Sequence, residues 1–156
     1  MNHAELSATR DECYSLVTAY ASSSGVAGLS PLPGVDVAAD LALLLNLIPK
    51  INKRFHLTPD QIGASPTYQK EILYRAISEI GSKLAGQCIT RELIIQIAKS
   101  FGLRLTTKQA CKWLPLIGYV ISSGISYTIM KYIGNAHVND CYQIRLRITE
   151  KKFNNI

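Results

Sequence analysis

The chain has 156 residues, a formal net charge of +6, 47% hydrophobic residues and 18% charged ones, which is one domain's worth of sequence and enough apolar material to bury a core without disulfides or metals. That balance excludes a disordered tail and a solvated, salt-laced helix. Its positive sign directs attention to anionic partners such as lipid head groups, acidic proteins or nucleic acid.

Apolar residues recur with helical spacing from one end to the other, and the alternation of strands is hard to find. Leu6, Cys13, Leu16, Val17 and Tyr20 line one side of a first helix. After Ser22, Ser23, Ser24 and Gly25 comes a loop-like stretch, Leu29 to Gly34, in which Pro31 and Pro33 stop that helix and start the next. The second helix spans about Val35 to Phe55 and is apolar nearly all round in its first half, as expected of a helix buried centrally or placed in lipid. Pro49 removes a backbone donor within it, and Lys50, Lys53 and Arg54 make its second half more polar.

Thr58-Pro59-Asp60-Gln61 predicts a helix start: Thr58 caps, Pro59 fits the first turn and Gln61 reaches back to complete a capping box. Ser65-Pro66 repeats the pattern, and Tyr68, Ile72, Ala76, Ile80 and Leu84, joined by Leu73 and Ile77, define a wide apolar face. Leu93, Ile94, Ile97, Ala98 and Phe101 form the inner side of a fifth helix that Gly102 ends. Thr106 or Thr107 then caps a short helix reaching Trp113. Pro115 restarts the chain into Leu116 to Ile133, and a final amphipathic helix turns Val138, Cys141, Ile144 and Ile148 inward. The expected architecture is a single all-α domain, residues 1–156, a compact multi-helix bundle with two central apolar helices. Phe55-x-Leu57-Thr58-x-x-Gln61 is echoed around Phe101, Leu103, Thr106 and Gln109, which two similar helix ends explain more simply than a duplication.

Leu116 to Met130 carries no charge, and a helix from Leu116 to Ile133 would be about 27 Å long against a hydrocarbon core of roughly 30 Å. Gly118, Ser122 and Ser126 give it a small-residue stripe that admits a neighbouring helix in lipid or in a protein core alike. Asp36 and Asp40 in the other apolar helix would each cost about 2.5–3.5 kcal/mol near a bilayer centre. A buried helix pair in a soluble bundle is therefore preferred to an inserted helical hairpin, which is the alternative.

Chemistry-bearing patterns are sparse. The four cysteines, Cys13, Cys88, Cys111 and Cys141, lie far apart without C-x-x-C pairing or histidine at ligand spacing, so they read as buried free thiols and no metal site is expected. Met1 to Glu12 has charges and no apolar run, which fits no secretory signal and points to a reducing, intracellular setting, peripheral to a membrane if membranes are involved. Gly81-Ser82-Lys83 has the wrong spacing to cradle phosphates. His3, His56 and His137 are read as lying in a terminus and near helix ends, with no i, i+4 partner and no neighbouring nucleophile, so no catalytic residue and no cofactor is expected. Asp36 and Asp40 share a helical face; capping for the first and a partner inside the bundle for the second account for them better than acid–base work. Dispersed Lys and Arg residues without interleaved aromatics disfavour nucleic acid. The basic end, Arg145, Arg147, Lys151 and Lys152, is the expected contact for an anionic membrane surface or a protein partner, and an oligomer is left open.

Two stretches are the most specific in the chain. One runs from Pro31 to Leu45, Pro-Leu-Pro-Gly-Val-Asp-Val-Ala-Ala-Asp-Leu-Ala-Leu-Leu-Leu; the other runs from Trp113 to Tyr127, Trp-Leu-Pro-Leu-Ile-Gly-Tyr-Val-Ile-Ser-Ser-Gly-Ile-Ser-Tyr. Together they resemble the C-terminal helical region of immunity-related, interferon-inducible GTPases. Pro31, Pro33, Gly34 and Asp40 match its first segment, and Pro115, Gly118, Gly124 and Ser126 its second. Phe55-His56-Leu57 stands where that family has Phe-Gly-Leu, and Asp140-Cys141 where it has Asp-Ala. The resemblance implies a helical part that contacts membranes or partners, stand-alone or within a longer chain. That family hydrolyses nucleotide in a separate upstream domain, and none of its catalytic residues maps onto this sequence. The function expected is a non-catalytic interaction or membrane-docking module.

Overall fold

The structure, a computed structural model, describes residues 1–27, 35–97 and 121–154, with side chains over 1–24, 40–97 and 127–150. Its regular elements are α1 (His3–Ala27), α2 (Val35–Arg54), α3 (Pro59–Gly63), α4 (Thr67–Ile80), α5 (residues 91–97) and α6 (Ile121–Asn154), with no strand among the described residues. The fold class is all-α, as the periodicity requires.

Helix α1 begins with a reciprocal capping box: the Glu5 amide donates to Asn2 Oδ1 at 2.8 Å and the Asn2 amide to the Glu5 carboxylate at 2.9 Å. It then continues through the serine cluster to Ala27, because Ser22 and Ser23 turn their hydroxyls back onto the carbonyls of Thr18 and Ala19. Leu6, Cys13, Val17, Ala21 and Ser24 form its buried stripe, at spacings of seven, four, four and three that keep one face inward.

That stripe meets both long helices. Glu12 pairs with Arg54 at 3.3 Å, Tyr20 accepts from Lys50 at 2.6 Å, and Ser24 donates to Asp40, an order that makes α1 antiparallel to α2. Arg10 stacks 4.9 Å from the centroid of the Tyr142 ring while Lys131 reaches Thr18 at 2.7 Å, so α1 is antiparallel to α6 as well. The α1–α6 pairing is the most extensive among the described elements. A close approach occurs at Gly134, where a Cβ would stand 2.6 Å from Val17 Cγ1 and 2.8 Å from Cγ2. The backbone can come this near only because glycine has nothing in the way.

The smaller elements close one end of this three-helix frame. Thr58 accepts from the Gln61 amide at 3.2 Å and the Gln61 side chain returns to the Thr58 amide, so the expected capping box is present. Ser65-Pro66 behaves differently: Pro66 is the N-cap residue of α4 without a side-chain bond, and Ser65 donates back to the Gln61 carbonyl. Helix α4 buries Leu73, Ala76 and Ile77, but Tyr68 is 60% exposed. It ends at Gly81, whose φ of 74° forms a left-handed cap. Leu84 is therefore buried from the following turn and not from the helix that the four-residue spacing implied. Ile94 and Ile97 point inward from α5 as expected.

The second apolar segment and the final amphipathic helix, expected as two, are one helix over the described residues, with Met130, Ile133, Val138, Cys141, Ile144 and Ile148 all buried. No proline interrupts residues 121–154, and the packing of Gly134 on Val17 offsets the propensity penalty of the glycine. Among the described residues no helix is long and apolar enough to cross a membrane. Residues 116–120 of the candidate span lie outside them, as do Gly102, the short helix expected before Trp113, and the second member of the internal echo.

Substituting Gly134→Ala tests the α1–α6 seam. Overpacking costs about 1–3 kcal/mol against roughly 1 kcal/mol of helix propensity gained, so urea denaturation should show a net loss of stability. Val17→Ala in the same chain should recover part of that loss, a coupling that two independent sites would not give.

Candidate functional site

Asn52 lies in the last two turns of α2, on the stripe that also carries Leu44, Ile48 and Phe55, and it is only 1% exposed. A carboxamide in such a place costs several kcal/mol unless its donors and acceptor are matched. Its Nδ2 donates to the Leu84 carbonyl at 3.0 Å, which fixes the flip of the amide and aims Oδ1 at His137 Nε2, also 3.0 Å away. Since Oδ1 can only accept, His137 carries its proton on Nε2 and leaves Nδ1 as a lone pair. Cys141, one helical turn further along α6, brings its Sγ to 3.6 Å from Nε2, 3.9 Å from Nδ1 and 3.7 Å from Asn52 Oδ1.

This cysteine, histidine and asparagine have the composition of a thiol nucleophile with its base and orienting group, and the expectation that His137 has no i, i+4 partner and sits near a helix end is corrected by Cys141 and by its place in mid-helix. Burial gives the group a different character. His137 is 2% exposed and Cys141 is fully buried. Desolvation pushes the imidazole down to about 3 and the thiol well above its ordinary range. Both are therefore neutral, and no thiolate–imidazolium pair forms. The trio joins α2, α6 and the turn after α4, and it does so as uncharged hydrogen-bonding groups.

Below the trio, the C-terminus of α2 is sealed by a Schellman motif: the Leu57 amide donates to the Asn52 carbonyl at 2.8 Å and the His56 amide to the Lys53 carbonyl at 3.1 Å. The reversing residue is His56, with φ of 53°, a left-handed conformation that glycine adopts at less cost. Arg145 crosses from α6 to donate to the carbonyls of Phe55 and His56, placing a cation at the negative end of the α2 dipole. Leu57 in turn accepts from the Gly86 amide at 3.0 Å. A Cβ on Gly86, whose φ is 73°, would lie 3.0–3.1 Å from the Ile77 and Ile62 methyls.

The residues singled out in the sequence are distributed differently. Asp40 has the partner anticipated inside the bundle, the buried Ser24 hydroxyl. Asp36 belongs to the first turn of α2, and Ser122 and Gly124 with Ser126 to the start of α6, with side chains outside the described set; Pro31, Pro33, Gly34, Pro115 and Gly118 lie outside it altogether. Of the basic end, Arg145 is committed to α2 and Arg147 pairs with Glu79 of α4 at 2.6 Å, while Lys151 and Lys152 occupy the last turns of α6. Cys13 and Cys141 are buried thiols as expected; Cys88 is exposed, since it follows the docked turn instead of lying within a helix face. No cluster of three or more His, Cys, Asp or Glu suited to a metal occurs among the described residues. Large aromatic surface is presented by Tyr74 of α4 and Tyr132 of α6, 55% and 58% exposed. No family model, curated protein or solved structure matches the chain.

Asn52→Leu should lower unfolding free energy by about 2–6 kcal/mol, because it strands the Leu84 carbonyl and the His137 N–H at about 1–3 kcal/mol each. The same change at the exposed Asn46 should leave the denaturation midpoint within experimental error. At the helix end, His56→Gly should raise stability by about 1 kcal/mol and His56→Val should lower it, as read by thermal melts of the three proteins.

Proposed function

We propose that the chain is a non-catalytic helical docking module, similar to the helical region of immunity-related GTPases, that attaches peripherally to an anionic membrane surface. The observation that carries this reading is the fate of the reactive side chains. His137, Asn52 and Cys141 are sealed in the interior and spent on joining helices, while the net charge of +6 and the exposed tyrosines face outward. Exposed tyrosine beside Lys and Arg suits contact, since an aromatic ring offers large area at low entropic cost and a hydroxyl for the wet side.

The family resemblance gains support at one turn. Phe55-His56-Leu57 departs from Phe-Gly-Leu at the residue whose backbone is left-handed, the one place in the tripeptide where glycine has a conformational reason to be. Asp40, the acidic residue of the first matched segment, is engaged with Ser24 as a structural carboxylate.

Arg145 and Arg147 are already engaged within the fold, so the attachment is assigned to Lys151 and Lys152 at the end of α6. Vesicle co-sedimentation tests it. Each Lys near an anionic surface contributes about 1 kcal/mol at low salt, so Lys151→Glu with Lys152→Glu should weaken binding to phosphatidylserine vesicles by tenfold or more while leaving the melting temperature in place. Equal binding by both proteins, or none by either, would remove the lipid reading and leave a protein partner as the one to pursue.

A further inference from the structure

We propose that the His137–Asn52–Leu84 junction is an acid-operated latch, in which a proton taken up by His137 undocks the turn carrying Leu84 to Gly86, together with the adjoining part of α6, from the end of α2. The geometry supplies each part. Nε2 already holds a proton directed at Asn52 Oδ1, so an added proton goes to Nδ1. The contact Nδ1 makes among the described residues is with the Cys141 sulfur at 3.9 Å, a weak acceptor.

Among the described residues no anion faces the ring to receive the new charge. From α6 come Cys141, a neutral thiol, and Arg145, itself a cation held on α2. Asp140 is on the same helix, with burial raising its carboxyl and the Ser82 hydroxyl as its bonding partner. From α1 comes Cys13, raised by burial and lying beside Arg54 of α2. From the turn after α4 come the Leu84 carbonyl, through Asn52, and the Ser82 hydroxyl, on Asp140. Burial alone accounts for the low basicity of His137, so the imidazolium forms readily only where water can reach it.

The sign follows. An imidazole whose folded value lies below its free value of about 6.5 stabilises the closed junction fully above that pH, and its contribution falls as pH drops toward the folded value. Opening is then coupled to one proton, which makes the open fraction grow tenfold for each pH unit below the free value. The piece that undocks is a turn without helix or strand, held on the end of α2 by the Asn52–Leu84 and Gly86–Leu57 bonds. The α1–α6 seam begins one turn away, at Gly134, and is held by the Gly134–Val17 packing, by Lys131 on Thr18 and by Arg10 on the Tyr142 ring, none of which involves a group that the proton on His137 would unpair.

Amide exchange by NMR between about pH 6 and 4.5, corrected for intrinsic rates, tests the latch. At Leu57 and Gly86 the opening constant of the wild-type chain should rise about tenfold per pH unit, and Val17 should stay protected. In His137→Gln, which keeps an N–H for Asn52 but cannot titrate, the rise should vanish. Matching pH profiles in the two proteins, or loss of protection at Val17 in step with Gly86, would overturn the proposal. Should the variant fail to fold, imidazole 15N shifts of the wild type decide: a neutral Nε2–H ring in the native state alongside selective exchange at Gly86 supports it, and a native titration near 6.5 or non-selective exchange refutes it.

Discussion

A single buried carboxamide holds the two ends of this molecule in register. Asn52 is satisfied on one side by a carbonyl thirty-two residues later and on the other by an imidazole eighty-five residues later, while its own backbone carbonyl closes the helix on which it sits. Apolar packing is tolerant of small slides, because a methyl group makes contact at many positions. Directed bonds in a dry place are not, since a displaced partner leaves an unmatched donor in the interior. Leu57, Leu84, Phe55 and Ile144 are buried core residues of the elements that Asn52 joins, and its directed bonds select among the packings that apolar side chains alone would allow.

One turn before His137, helix α6 obeys a steric rule. Gly134 lets α6 lie directly on Val17, and with it the long antiparallel contact of α1 and α6 is set. Paired charges stand at the surface, Glu12 with Arg54 between α1 and α2, and Glu79 with Arg75 and Arg147 on α4 and α6. Exposed pairs of this kind contribute roughly 0–1 kcal/mol each. They tune the exterior and explain where part of the basic excess goes, without determining the architecture.

Much of the fold was legible in the sequence, and the unread portions share a cause. Helix class, the Val35 start of α2, the Thr58 capping box and the inward faces of α1 and α6 follow from periodicity and from short-range capping chemistry, both local properties. The fusion of the last two helices was missed because glycine reads as a breaker until its neighbour is known. Leu84 fitted a helical register by spacing but reaches the core from a turn. The polar junction carried a readable signal: His137 falls in line with Cys141, Ile144 and Ile148 at spacings of four, three and four, and Asn52 with Ile48 and Phe55. A polar residue on an apolar stripe announces that a partner exists without saying which. Arg145 shows the same limit, since its charge is plain in the sequence and its acceptors stand about ninety residues away.

At His56 a side chain occupies a torsional niche that most residues avoid, and the carbonyl and amide pattern around it is intact nonetheless. The position therefore constrains substitution by shape more than by chemistry: residues able to reverse the chain can exchange there while β-branched ones are shut out. Backbone torsion at such a corner is a stricter requirement than the identity of the side chain. Distant kin of this protein are better sought by the geometry of how α2 ends than by the amino acid found there.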